Sequence, residues 1–187
     1  KHASDSFVNN ILACISILFA LNLNLIKLEK KFTNFNIPEG RGDIKRIKKF
    51  EKEFNFVDES YNASPLSMMS AIKNFSLFKK KRNARKLVFL GDMLELGKKS
   101  KKLHKKLSKV INKSDVDKVF VYGNYIKETF NFLHKDKKGK IFNNIKEAYS
   151  YFKKIINNND LLMVKGSNAT GLNHFSKNIK KGNSSVI

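Results

Sequence analysis

The stretch Lys86-Leu87-Val88-Phe89-Leu90-Gly91-Asp92-Met93-Leu94-Glu95-Leu96-Gly97 joins an unbroken apolar run to a glycine-bounded turn, and a lysine-rich helical pattern follows it. A short run with no polar alternation is a strand buried on both faces. The same unit recurs in both directions. Phe54-Asn55-Phe56-Val57 precedes a predicted helix over 66–78, and 86–90 precedes one over 100–112. Lys118-Val119-Phe120-Val121-Tyr122 leads to a short helix ending near 133, Lys140-Ile141-Phe142 to one over 145–157, and Leu161-Leu162-Met163-Val164 to one over 170–180. Residues 43–50 alternate and predict an edge strand. Strands alternating with helices predict an α/β fold, a mostly parallel sheet with helices on both faces.

Upstream the rhythm stops. Residues 4–21 read as one helix, with Asp5 or Ser6 as cap, and residues 24–32 as a second. The apolar stretch Ile11 to Leu21 has about 11 residues where a membrane span needs about 20, so a buried helix is expected, with Cys14 as a buried, inert thiol. No small-residue cleavage site marks a signal peptide, and a single cysteine excludes an internal disulfide. The chain is therefore expected in the cytoplasm, off the membrane. Ile37-Pro38-Glu39-Gly40-Arg41-Gly42 is a natural boundary, giving a helical remnant over 1–38 and a domain over 39–187.

The formal net charge is +22, from 38 Lys and Arg against 16 Asp and Glu. Only Arg41, Arg46, Arg82 and Arg85 are arginine, and asparagine occurs 22 times. Lys, Asn, Ile and Phe enrichment looks like an AT-rich coding bias. Arginine, the preferred residue for bidentate base and phosphate contacts, is scarce. No nucleic-acid partner is expected.

In a parallel sheet, ligands bind at the turns beyond the carboxyl ends of the strands. Asp58-Glu59-Ser60-Tyr61-Asn62-Ala63-Ser64-Pro65 offers two carboxylates, a phenol and an amide, able to meet a ribose, a metal-bound phosphate or an amine; Ser64-Pro65 alone is explained as a helix start. Asp92 and Glu95 lie among Met93, Leu94 and Leu96, which predicts a loop packed back onto the domain. Lys165-Gly166-Ser167-Asn168-Ala169-Thr170-Gly171 joins a strand to a helix whose amides suit an anion. His104 is expected to be a packing or capping residue. The lysine runs 79–86 and 98–109 are expected to be solvated faces.

Taken in order, Gly40-Arg41-Gly42, the block from Asp58 to Met68, the block from Leu90 to Gly97 with His104, and Leu162 to Ser167 resemble the Mur ligase family, over about residues 6 to 182. Within it they are most similar to the branch that joins D-Ala-D-Ala to UDP-MurNAc-tripeptide. Asn10-Ile11-Leu12-Ala13-Cys14 resembles the helix that closes the family's central ATPase domain. The resemblance implies a Rossmann-like C-terminal domain in a cytoplasmic, monomeric ligase. It implies ATP and Mg2+ as cofactors and an acyl-phosphate route to the amide. It also implies that Asn10, Arg41, Asp58 or Glu59 (Glu59 more often), Tyr61 and Asn62 meet the nucleotide. Asp92, Glu95, Lys165 and Ser167 would face the dipeptide.

The chain departs from that family in places. No Gly-x-x-Gly-Lys-Ser/Thr loop occurs, Ser6 and Phe7 stand where the family has a His-Asn pair, and Asn168 replaces a common arginine. The resemblance therefore implies that these 187 residues alone do not turn over substrate. Two alternatives stand beside it: a basic nucleic-acid-binding module and a stand-alone nucleotide-binding domain.

Overall fold

The computed structural model describes residues 5–27, 39–181 and 183–186. The chain divides into two compact units, Lys1–Ile37 and Pro38–Ile187. In the first, α1 (Asp5–Ala20) is followed by a helical turn at 25–27; the rest of the helix expected over 24–32 lies outside the described residues. Contrary to expectation, α1 is not buried. Leu12, Ile17 and Phe19 are exposed, and so is Cys14. Among the described residues of that unit no second layer covers its apolar circumference. No helix among the described residues is long and apolar enough to cross a membrane.

The second unit runs β1 (Asp43–Lys49), β2 (Lys52–Glu59), α2 (Pro65–Leu77), β3 (Lys86–Gly91), α3 (Ser100–Asn112), β4 (Lys118–Tyr122), α4 (Ile126–Asn131), β5 (Lys138–Phe142), α5 (Ile145–Ile155), β6 (Leu161–Lys165), α6 (Leu172–Lys180) and β7 (Asn183–Val186). The strands form one sheet in the order β5-β4-β3-β6-β2-β1-β7. From β5 to β2 every pairing is parallel, while β1 runs antiparallel to both β2 and β7. Rossmann-like, mostly parallel and helix-covered, the architecture is the expected one.

One placement differs. The 43–50 segment is not an edge, because β7 pairs outside it from Lys45↔Val186 to Lys48↔Asn183. Asn183-Ser184-Ser185-Val186 has no apolar run to betray a strand, and the unpaired main chain of β1 is the template on which it forms.

Successive strand residues divide between two cores. Val57, Val88, Leu90, Val119 and Met163 meet α2, α3 and α4 on one face through Ile72, Phe75, Leu107, Ile111 and Ile126. Phe56, Leu87, Phe89, Phe120 and Leu162 meet α5 and α6 on the other. Phe89 lies at the centre of the second core, with ring centroids 5.5 Å from Phe142, 5.5 Å from Phe152 and 5.0 Å from Phe175. The Phe142 and Phe175 rings meet it edge-on and the Phe152 ring is tilted, packing that adds to simple area burial. With both faces anchored, the turns beyond β2, β3, β4 and β6 emerge together on the carboxyl edge.

Candidate functional site

The first turn is built from two directions. Ser64 caps α2 by a reciprocal capping box with Ser67, and Pro65 occupies the first helical turn. From the other side the Gly40-Arg41-Gly42 turn docks by backbone, the Gly42 N–H donating to the Asp58 carbonyl at 2.7 Å and the Tyr61 N–H to the Gly40 carbonyl at 3.1 Å. Gly42 has φ +93°, and a Cβ there would lie 2.9 Å from Glu59 Oε1. Only glycine fits both demands. The docking sets the Arg41 guanidinium 4.2 Å from the centre of the Tyr61 ring, with both side chains open to solvent. A planar cation over an aromatic face is a favourable exposed pair.

Asp58 and Glu59 point into different surroundings. Asp58 is buried and accepts from the Ser60 hydroxyl at 2.6 Å, the Ser60 N–H at 3.0 Å and Lys180 Nζ at 2.7 Å. Burial is the largest influence on it and opposes its charge, but Lys180 and Ser60 together prevail and hold the carboxyl below the ordinary aspartate value. Glu59 is partly exposed and accepts from Lys165 Nζ at 3.1 Å. Lys165, itself buried, also donates to the Asn62 carbonyl at 3.1 Å. The Asn62 side chain accepts from the Ala63 N–H at 2.8 Å and so stiffens the same turn.

The second turn is anchored by residues the fold consumes. Asp92 is buried, and its carboxylate accepts from three consecutive amides, Asn124 at 2.9 Å, Tyr125 at 2.9 Å and Ile126 at 2.7 Å. Gly123 permits this, with φ +140° and space in which a Cβ would strike Asp92 Oδ1 at 2.5 Å. The Asp92 carbonyl accepts from the Ser167 N–H at 3.0 Å. Ser167 is buried as well; its hydroxyl accepts from the Leu94 N–H at 3.0 Å and faces the Ala63 carbonyl at 3.4 Å. Glu95 alone of this group is exposed, in the left-handed region at φ +64°.

His104 ties the turn to α3. Its Nε2 accepts from the Met93 N–H at 2.9 Å, and its Nδ1 faces the Ser100 carbonyl at 2.8 Å, which assigns the proton to Nδ1. Burial pushes the ring below the ordinary histidine value of 6.5, over a smaller opposing pull from the Ser100 carbonyl and the Asp92 and Glu128 charges. The unfolded chain takes up a proton here below about pH 6.5 and the folded chain does not. This contribution to stability is therefore complete above that pH and is lost as pH falls toward the depressed folded value, by at most about 1.4 kcal/mol per pH unit. The urea midpoint should fall between pH 7.5 and 5.5, and His104→Gln should flatten that slope; an equal slope in the variant rules the histidine out as its source.

The sequence-predicted residues thus sort by place. Arg41, Glu59, Tyr61, Asn62, Lys165 and Ser167 come together on the carboxyl edge; Asp58 and Asp92 lie there too, but with their carboxylates turned inward. Glu95 stands at the surface of the second turn, and Asn10 lies on α1 in the other unit. Lys180 as partner of Asp58, and Gly123 as the clearance for Asp92, were not foreseen. Gly123-Asn124 after an apolar strand was the only local sign of the latter.

Residues 41–168 match the family described as Mur ligase, glutamate ligase domain. The chain belongs to the Mur ligase family. Among individual relatives, it is 28% identical over 166 residues to a UDP-N-acetylmuramoyl-tripeptide--D-alanyl-D-alanine ligase of Rickettsia prowazekii, covering 89% of this chain and 35% of that protein. It is 30% identical over 135 residues to the ligase of the same description from Bacillus subtilis, covering 70% of this chain and 29% of that one. The chain spans about a third of the length of these relatives. Among solved structures, MurF from Acinetobacter baumannii superposes with a TM-score of 0.75 at 22% identity, covering 96% of this chain and 38% of that one. MurF from Thermotoga maritima in complex with ADP gives 0.69 at 23%, covering 96% and 40%. These superpositions extend the likeness in fold to nearly the whole chain.

Proposed function

We propose that the chain is the C-terminal domain, with the closing helices of the central ATPase domain, of a cytoplasmic ligase that adds D-Ala-D-Ala to UDP-MurNAc-tripeptide in peptidoglycan precursor synthesis. The observation that carries this reading is the alignment of most of the chain with relatives bearing that description. The reaction would be ATP-dependent. The tripeptide carboxylate would take the terminal phosphoryl group of ATP as its P–O bond to ADP breaks, and the dipeptide amine would attack the acyl carbon, losing a proton as the C–O bond to phosphate breaks.

This chain's own residues supply positioning. Arg41 stacked on Tyr61, beside Glu59 and Asn62, offers a cation, a phenol and a carboxylate to phosphate and ribose groups, which fits a nucleotide. Asn10, in the other unit, would also meet a nucleotide, and Asp58 would act by fixing the turn. Lys165 would meet the dipeptide carboxylate, with Ser167 holding the turn around it. Glu95 would meet the amine, with Asp92 holding Glu95's loop in place. For Mg2+ the described residues do not fit, since no three His, Cys, Asp or Glu side chains among them converge on one point.

The test is a titration of the isotope-labelled chain with D-Ala-D-Ala, followed by amide NMR. Amides at 92–95 and 165–168 should shift, and L-Ala-L-Ala should leave them in place. An unmoved spectrum, or the same shifts with both isomers, overturns the dipeptide assignment. In a phosphate-release assay with all three substrates, the 187-residue chain should show no turnover.

A further inference from the structure

We propose that the groove between the C-terminal halves of α2 and α3 is a docking site for an acidic, amphipathic segment of another protein. The groove has a volume of about 660 Å³ and is lined by Lys73, Leu77, Lys109, Val110, Lys113 and His134 among others. Leu77 is 80% exposed at the end of α2, and Val110 is half-buried beside it. The floor therefore has apolar surface still open to water, which a partner's apolar side chain would cover. Three ammonium groups stand around it.

Among the described residues none of the groove's lysines, Lys73, Lys109 and Lys113, makes an ion pair. Lys98, Lys99, Lys101, Lys102, Lys105, Lys106, Lys109 and Lys113 fall between Glu95 and Asp115, with no acidic residue in that interval. Among the described residues none of these eight lysines makes an ion pair. Lys101 and Lys105, Lys102 and Lys106, Lys105 and Lys109, and Lys109 and Lys113 are like charges one helical turn apart, an arrangement that destabilises a helix. Carboxylates docked in the groove would relieve the repulsion that Lys109 shares with Lys105 and Lys113.

Nucleic acid fits less well. The rim has lysine and no arginine, and no Phe or Tyr lines the groove on which a base could stack. The exposed ring nearby, Phe132, is covered by Lys105 Nζ at 3.8 Å. The location also separates this surface from the turns described above. The Ser76 carbonyl, at the groove, accepts from Lys86 at the start of β3, so the groove lies at the amino edge of the strands, opposite the turns. The proposal is independent of the ligase reading.

The probe is a fluorescein-labelled helical peptide of about sixteen residues with glutamates on one face and leucines on the other, titrated into the whole chain at physiological salt. Leu77→Ser, and the pair Lys109→Glu/Lys113→Glu, should each weaken binding about tenfold. The pair Lys98→Glu/Lys99→Glu, in the same charge run but away from the groove, should change it by less than about twofold. All these side chains are exposed, and circular dichroism checks that each variant folds. Poly-glutamate or single-stranded DNA of the same length binding as tightly as the amphipathic peptide overturns the proposal. So does an unchanged affinity in Leu77→Ser.

Discussion

Asp92→Ala is expected to lower the unfolding free energy by about 3 kcal/mol, measured by urea denaturation at neutral pH. The carboxylate is the acceptor for three backbone amides at the start of α4, and alanine leaves all three without a partner. An unsatisfied buried donor costs about 1–3 kcal/mol, so three span about 3–9 kcal/mol; two of these amides are only partly buried and can turn to water, which sets the loss at the low end of that sum. Asp92→Asn should fall between the two, because its amide nitrogen cannot accept. The loss should also be local before it is global. The turn 91–97 is linked through Asp92 and Ser167 to the turns beyond β4 and β6, so amide exchange at 93–95 and 167 should accelerate even under native conditions. A variant as stable as the parent would show that water replaces the carboxylate without penalty.

Lys165→Met carries the second-largest expected effect, a loss of about 2 kcal/mol. The ammonium is buried and pairs with Glu59 and the Asn62 carbonyl. Breaking a fully buried ion pair costs about 3–5 kcal/mol, but the Glu59 side chain keeps a quarter of its surface in water and can rehydrate, which lowers the figure. The double variant Lys165→Met/Glu59→Gln separates the two roles of the lysine. Without a stranded carboxylate most of the lost stability should return. If Lys165 also meets the dipeptide carboxylate, D-Ala-D-Ala binding should remain at least about tenfold weaker in both variants. Recovery of binding along with stability would make Lys165 a structural residue only.

These effects were legible in the sequence to unequal degrees. Val88 and Leu90 on one side of β3, with Leu87 and Phe89 on the other, announce a strand buried on both faces, and Ser64-Pro65 announces where α2 begins. Both are signals of immediate neighbours. The Asp58-to-Pro65 and Leu90-to-Gly97 blocks likewise stood out as turns too polar, or too apolar, for plain connections. The role of each carboxylate did not. Asp58 and Glu59 are adjacent in sequence, yet one faces Lys180 and the other Lys165, because successive side chains at a strand's end point to opposite faces. Asp92 looked as available as Glu95 until α4 brought three amides onto it.

Composition and periodicity were enough for the α/β class, the parallel strands and the edge on which the turns gather, since burial on two faces imposes a pattern readable residue by residue. Tertiary structure alone decided three things. It paired β1 with β7 across a stretch with no strand signature, joined the turns beyond β3 and β6 through Ser167, and turned Asp58 and Asp92 inward. Each depends on what packs against a residue from elsewhere in the chain. Hydrogen-bond satisfaction and burial are properties of that neighbour as much as of the residue, and the neighbour is not written nearby.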